Sequence, residues 1–147
     1  MSQVAFSAEL HLPYEQMLIQ RGGWLEPQTD DLISYNACHI ANRLGAAAIV
    51  AFTESGSTAR RVSKYRPGTP VLAVTVRSLV RRRMTLLWGV QAFQVAESTS
   101  IDELFAVSTW LTRELGLAKS GDLIVITGGV PVGRAGTTNL LKVEKIP

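Results

Sequence analysis

The sequence predicts an α/β domain of three layers, αβα, with a five-stranded mixed sheet in the order 3-2-1-4-5 and an antiparallel last strand. Three observations carry this. From Ala46 onward, apolar runs alternate with amphipathic helical patterns, which implies parallel strands joined by right-handed helical crossovers. Runs one, two and four (Ala46–Phe52, Pro70–Thr75 and Asp122–Thr127) are almost continuously apolar, as strands covered on both faces must be. The connection after run four, Gly128–Thr138, is eleven residues without a helical pattern, too short for a parallel return. A chain of 147 residues holds one domain with a sizeable core and is too short for two ordinary ones.

The elements follow in order. Residues 1–12 show no clear period and read as a linker or interdomain remnant, leaving 13–147 as one domain. Pro13 suits a first helical position, and Tyr14, Met17, Leu18 and Arg21 continue to a stop at Gly22-Gly23. Trp24-Leu25-Glu26-Pro27 connects, with the tryptophan expected to cover core. Thr29 reads as an N-cap before Asp30 and Asp31, acids in the favoured first turn. Ile33, Ala37, Ile40, Ala41 and Leu44 repeat at helical spacing, and Gly45 ends that helix. Cys38, the only cysteine, reads as a buried small hydrophobe; His39 beside it cannot converge with it on a metal.

A helix near Ser57–Tyr65 follows strand one. Another from Ser78 places Val80, Met84 and Leu87 on one face and Arg81–Arg83 largely on another. Strand three is Val90–Val95. Ser100-Ile101-Asp102-Glu103 is a capping box, and Leu104, Val107, Leu111 and Leu115 form the apolar stripe behind it. Strand five is expected at Asn139–Ile146.

Charge and hydropathy exclude some functions. The basic stretch Arg60–Arg83 contains no Asp or Glu, yet Tyr65 alone interleaves it and no nucleic-acid motif accompanies it. A solvated helix face is therefore the preferred reading over nucleic-acid binding. The longest nearly apolar run, Leu44–Phe52, cannot span a bilayer, and no signal-peptide pattern opens the chain. A cytoplasmic protein without membrane partners is expected.

Two loops carry the candidate chemistry. Thr53-Glu54-Ser55-Gly56-Ser57-Thr58 joins strand one to a helix start, with four hydroxyls, a close-approach glycine and two arginines just downstream. Such a turn either caps the helix or docks an anion on its first N–H groups. Gly128–Thr138 is glycine-rich and offers Arg134, without the spacing of a P-loop or a dinucleotide fingerprint. If strand four returns beside strand one, sheet order reverses between them and the two loops face one crevice.

These residues also resemble a known family. Thr53–Arg60, Lys64-Tyr65-Arg66-Pro67, Ala73-Val74-Thr75, Leu87-Trp88-Gly89-Val90, Gly121–Thr127 and Gly129–Gly133 through Thr138–Val143 are six ordered blocks. Together they are similar to the C-terminal domain of bacterial pyruvate kinase, over about Leu12 to Ile146. The family transfers phosphate from phosphoenolpyruvate to ADP in a (β/α)8 barrel that holds Mg2+ and K+. No barrel is readable in these residues, so the resemblance implies that this chain does not catalyse the transfer alone and needs no cofactor of its own.

The resemblance further implies a domain that binds a phosphorylated allosteric effector (fructose 1,6-bisphosphate, ribose 5-phosphate or AMP) and contributes to a homotetramer. It maps a phosphate cradle onto Thr53, Ser55, Gly56, Ser57 and Thr58, and an effector loop onto Gly133, Arg134, Ala135, Gly136 and Thr137. Two departures bear on the ligand. Glu54 is acidic where many members are not, and would weaken a second phosphate if it points inward. The short stretch Ala96–Ser100 lacks the tryptophan and arginine that some animal members use on a distal phosphate. Two alternatives stay open: a free-standing domain acting on a phosphorylated substrate, with Glu54 as its one acid–base candidate, and an assembly domain without a ligand.

Overall fold

The computed structural model describes residues 12–134 and 138–147. The linker expected at the N-terminus lies, but for Leu12, outside the described residues, as do Ala135, Gly136 and Thr137 of the second loop. The elements are α1 (Tyr14–Arg21), α2 (Thr29–Leu44), β1 (Ala48–Phe52), α3 (Ser57–Lys64), β2 (Val71–Thr75) and α4 (Ser78–Met84). After them come β3 (Val90–Gln94), α5 (Ile101–Glu114), β4 (Leu123–Gly129) and β5 (Thr138–Lys145). Most ends differ from the sequence expectation by one or two residues; β4 runs two residues further, to Gly129, and α4 stops at Met84, short of Leu87, which the sequence places on its apolar face.

The sheet order is β3-β2-β1-β4-β5. Strands β1 to β4 are parallel neighbours and β5 is antiparallel to β4. Handedness explains the layers. Moving outward from β1 to β2 to β3, right-handed crossovers place α3 and α4 on one face; the return from β3 to β4 reverses direction and puts α5 on the other. Alternate residues divide the core accordingly. Ile49, Val71 and Val125 pack with Leu18, Ala37, Cys38, Ala41, Val62 and Tyr65 beneath α1, α2 and α3. Ala48, Val50, Leu72, Val74, Ile124 and Ile126 pack with Leu111 of α5. A smaller cluster of Ala59, Ala73, Val80 and Met84 seats α4, with the Arg81–Arg83 triplet in solvent.

Several local expectations are corrected. Thr29 is the first residue of α2 and not its cap; Gln28 occupies the cap position without a side-chain bond. Asp31 does stand in the first turn of α2, but it is also a buried long-range anchor. It is 3% exposed and accepts the Glu26 N–H (2.8 Å), the Tyr65 hydroxyl (2.8 Å) and the Lys64 ammonium (2.9 Å). Burial alone would raise its carboxyl, but these three donors outweigh burial and hold it below the ordinary carboxylate value. Trp24 does not cover core: it is largely exposed, with the Arg21 guanidinium 4.5 Å from the ring centroid.

In α5 the buried face is Leu104, Ser108, Leu111 and Thr112, while Val107 is half-buried and Leu115 exposed. The capping box is modified. Ser100 Oγ accepts the Glu103 N–H, but the Glu103 carboxylate accepts from Thr99 N–H and not from Ser100.

Candidate functional site

The first turn is built from β1 outward. Thr53 extends the sheet by donating its N–H to Val74 O (3.0 Å), and its Oγ1 accepts the Gly56 N–H at 2.8 Å. That bond curls the chain back, and the curl requires φ +91° at Gly56, a left-handed conformation that a side chain resists. The sequence suggests this glycine for close approach to a ligand. Its α-carbon instead faces α4, where an added Cβ would stand 3.6 Å from Val80 Cγ1.

α3 then begins at Ser57 without a side-chain cap bond. Its first helical bond is Arg60 N–H to Gly56 O (3.0 Å), so the N–H groups of Ser57, Thr58 and Ala59 precede the ladder. Ser55 Oγ donates to Ser57 Oγ at 3.1 Å and accepts the Ser57 N–H in a long bond of 3.4 Å. Thr58 is buried, its hydroxyl paired with that of Thr138 at the start of β5.

Far from the turn, α3 is held rigidly at its other end. Arg21 donates from Nη1 to Lys64 O (2.7 Å), completing a C-terminal carbonyl, and Lys64 and Tyr65 reach Asp31 of α2. Arg61, one of the two arginines expected to serve an anion, turns away to Asp30 at 2.8 Å. Arg60 is exposed.

The second loop leaves β4 beside this turn. Gly128 packs on Phe52, where an added Cβ would come within 3.1 Å of Phe52 Cβ, so the two strand ends abut at the reversal of sheet order. Asn139 closes the loop's base through a pair of bonds to Val130, from its N–H (2.8 Å) and to its carbonyl (2.7 Å).

A cavity of about 250 Å³ opens between the loops at the carboxyl edge of the sheet. This is the topological switch point at which open α/β sheets take ligands, and the volume suits a small metabolite. Of the expected site residues, Thr53, Ser57, Thr58, Gly133 and Arg134 line it. Ser55 and Gly56 support the turn without lining the cavity. Glu54 does line it, but its carboxylate is engaged, 3.4 Å from Arg77 Nε.

The segment Val95–Thr99 forms the third wall; the sequence reading ties Ala96–Ser100 to a distal phosphate through the resemblance alone, and gives no site role to Glu97 or to Leu104 at the start of α5, which also line the cavity. The signal was present: this segment also leaves the carboxyl end of a parallel strand, hence the same edge. Among the described residues no helix is long and apolar enough to cross a membrane.

The architecture defines the class: a doubly wound α/β domain with a metabolite-sized cleft at its switch point. A family profile described as "Pyruvate kinase, alpha/beta domain" matches residues 31–144. The chain belongs to that family. It is 42% identical over 146 residues, 99% of its length, to a pyruvate kinase of Clostridium acetobutylicum, of which it covers 31%. Its identity to the Geobacillus stearothermophilus pyruvate kinase is also 42%, over 25% of that protein. In solved structures it is similar to a pyruvate kinase of Cryptosporidium parvum, with a TM-score of 0.86 and 26% identity over 95% of this chain and 28% of that one. The chain thus spans a quarter to a third of the length of these relatives.

Proposed function

We propose that this chain is the effector-binding and oligomerisation domain of a cytoplasmic pyruvate kinase. In this reading the remainder of the parent protein carries out phosphoryl transfer from phosphoenolpyruvate to ADP with Mg2+ and K+, and this domain reports a phosphorylated metabolite to it. The observation that carries the reading is the cavity where the uncapped start of α3 meets the loop bearing Arg134. The N–H groups of Ser57 and Thr58 and the Ser57 hydroxyl, on residues that line the cavity, donate to a phosphate. The helix dipole favours its charge, and the Arg134 fork closes from the opposite loop. Ser55 and Gly56 shape the turn, with Ala135, Gly136 and Thr137 as the remainder of the closing loop.

The coupling to a distant active site then runs through a rigid element, because α3 is pinned at its far end to α1 and α2 by Arg21 and Asp31. Support for oligomerisation comes from β5, whose outer edge has no strand partner among the described residues and is of the kind that pairs with a second copy. The test is calorimetric titration with fructose 1,6-bisphosphate, ribose 5-phosphate and AMP, on wild type and on Ser57→Asp. At least one ligand binds wild type, and the aspartate weakens it at least about tenfold by like-charge contact. No heat from any ligand, with the domain shown to be folded by circular dichroism, defeats the effector role.

A further inference from the structure

The walls of the cavity follow the sheet order, so their charges can be placed along it. The loop after β4 and the turn after β1 flank one end, the ends of β2 (Val74–Val76) form the middle, and the segment after β3 (Val95–Thr99) forms the other end. Two strand spacings, about 10 Å, separate the turn after β1 from the segment after β3. Among the described lining residues Arg134 is the one cation, and it belongs to the first end. At the far end stand Glu97, Ser98, Thr99 and the apolar walls Val95 and Leu104.

The two acids of the cavity are not equivalent. Glu54 is compensated locally by Arg77 at 3.4 Å. Glu97 is exposed on its segment and has no ion-pair partner among the described residues. A phosphate carried there by a ligand would meet an uncompensated carboxylate and no cation. Hydroxyls or a ring amine there would instead donate hydrogen bonds to an acceptor with spare lone pairs.

We propose that Glu97 sets the ligand class of this cavity: a phosphate monoester whose far end donates hydrogen bonds, with bisphosphates excluded. The proposal rests on the reading of the Thr53–Thr58 turn as the phosphate site. The phosphate occupies the start of α3, the sugar lies over Val74–Val76, and Glu97 receives its hydroxyls.

The experiment titrates inorganic phosphate, ribose 5-phosphate and fructose 1,6-bisphosphate into wild type, Glu97→Gln and Glu97→Lys. Because Glu97 is exposed, both variants keep the wild-type circular dichroism. Wild type prefers the monophosphate by about tenfold or more, the size of one like-charge contact between the bulk-water and surface values. The glutamine narrows that preference, the lysine reverses it, and inorganic phosphate is held alike by all three. A wild type that prefers the bisphosphate, or a preference unmoved in Glu97→Lys, overturns the role of Glu97 while leaving the phosphate site standing. Absence of binding by all three ligands overturns the phosphate site and this assignment together.

Discussion

Replacing Asp31 by alanine tests the connection that anchors α3. The carboxylate accepts from the Tyr65 hydroxyl and the Glu26 N–H at 2.8 Å each, and Tyr65 is fully buried, so its hydroxyl finds no water when the acceptor goes. Each buried donor left without an acceptor costs about 1–3 kcal/mol. Lys64 is different: its side chain is 34% exposed and rehydrates, so its lost ion pair adds under about 1 kcal/mol. The expected loss for Asp31→Ala is about 3 kcal/mol, a large part of a small domain's stability. Asp31→Asn, which keeps one acceptor oxygen, loses about half as much.

Acid provides a second check on the same residue. Because the folded carboxyl is held below its ordinary value, its contribution is complete above that value, about 3.9, and is lost as pH falls toward the lowered folded one. The difference between wild type and Asp31→Ala therefore narrows between pH 7 and about pH 3. Urea unfolding followed by tryptophan fluorescence measures it at both values. A difference below about 0.5 kcal/mol at pH 7, or one that widens on acidification, would refute the buried three-donor arrangement.

Two further outcomes follow from the same geometry. Cys38 is fully buried, its thiol pushed up to about 12 by burial, so at pH 8 iodoacetamide labels it in native protein about a thousandfold more slowly than in urea; equal rates would displace it from the core. Gly56→Ala places a side chain at φ +91° with only ordinary contacts to Val80 and Met84, so backbone strain of about 1–2 kcal/mol acts alone. The melting temperature falls by roughly 3–8 °C; an unchanged value shows that the turn is not left-handed there.

The sequence offered the strand order on the condition that strand four returns beside strand one, which the sheet bears out, while two strong rules constrain the layers and the last strand. Crossovers are right-handed, and an eleven-residue loop without a helix forces β5 to run antiparallel. The turn at Thr53–Thr58 was legible as well, since hydroxyls and a glycine between an apolar run and a helix leave few other structures. What failed was the polarity rule applied residue by residue. Ser108 and Thr112 were passed over as α5 core because they are polar. Yet each hydroxyl satisfies itself on the preceding turn, bonding Leu104 O (2.8 Å) and Ser108 O (2.9 Å), and so buries without desolvation cost. Asp31 was taken for a helix-dipole acid because its partners Lys64 and Tyr65 lie more than thirty residues away.

The same long-range dependence governs the site. Reading Glu54 alone assigns it the task of repelling a second phosphate, but Arg77, from the next strand's end, already holds its carboxylate. Reading Glu97 alone assigns it nothing, since it stands between a strand and a capping box with no motif around it. Once β3 is placed two strands from β1, that acid lines the same cavity as the start of α3, about two strand spacings, ~10 Å, away. A residue's charge is written in the sequence, but whether it is compensated is a property of its neighbours, and the sheet order decides those. The acid without an ion-pair partner among the described residues, and not the acid held by Arg77, is therefore the one to which we give the choice of ligand in our proposal.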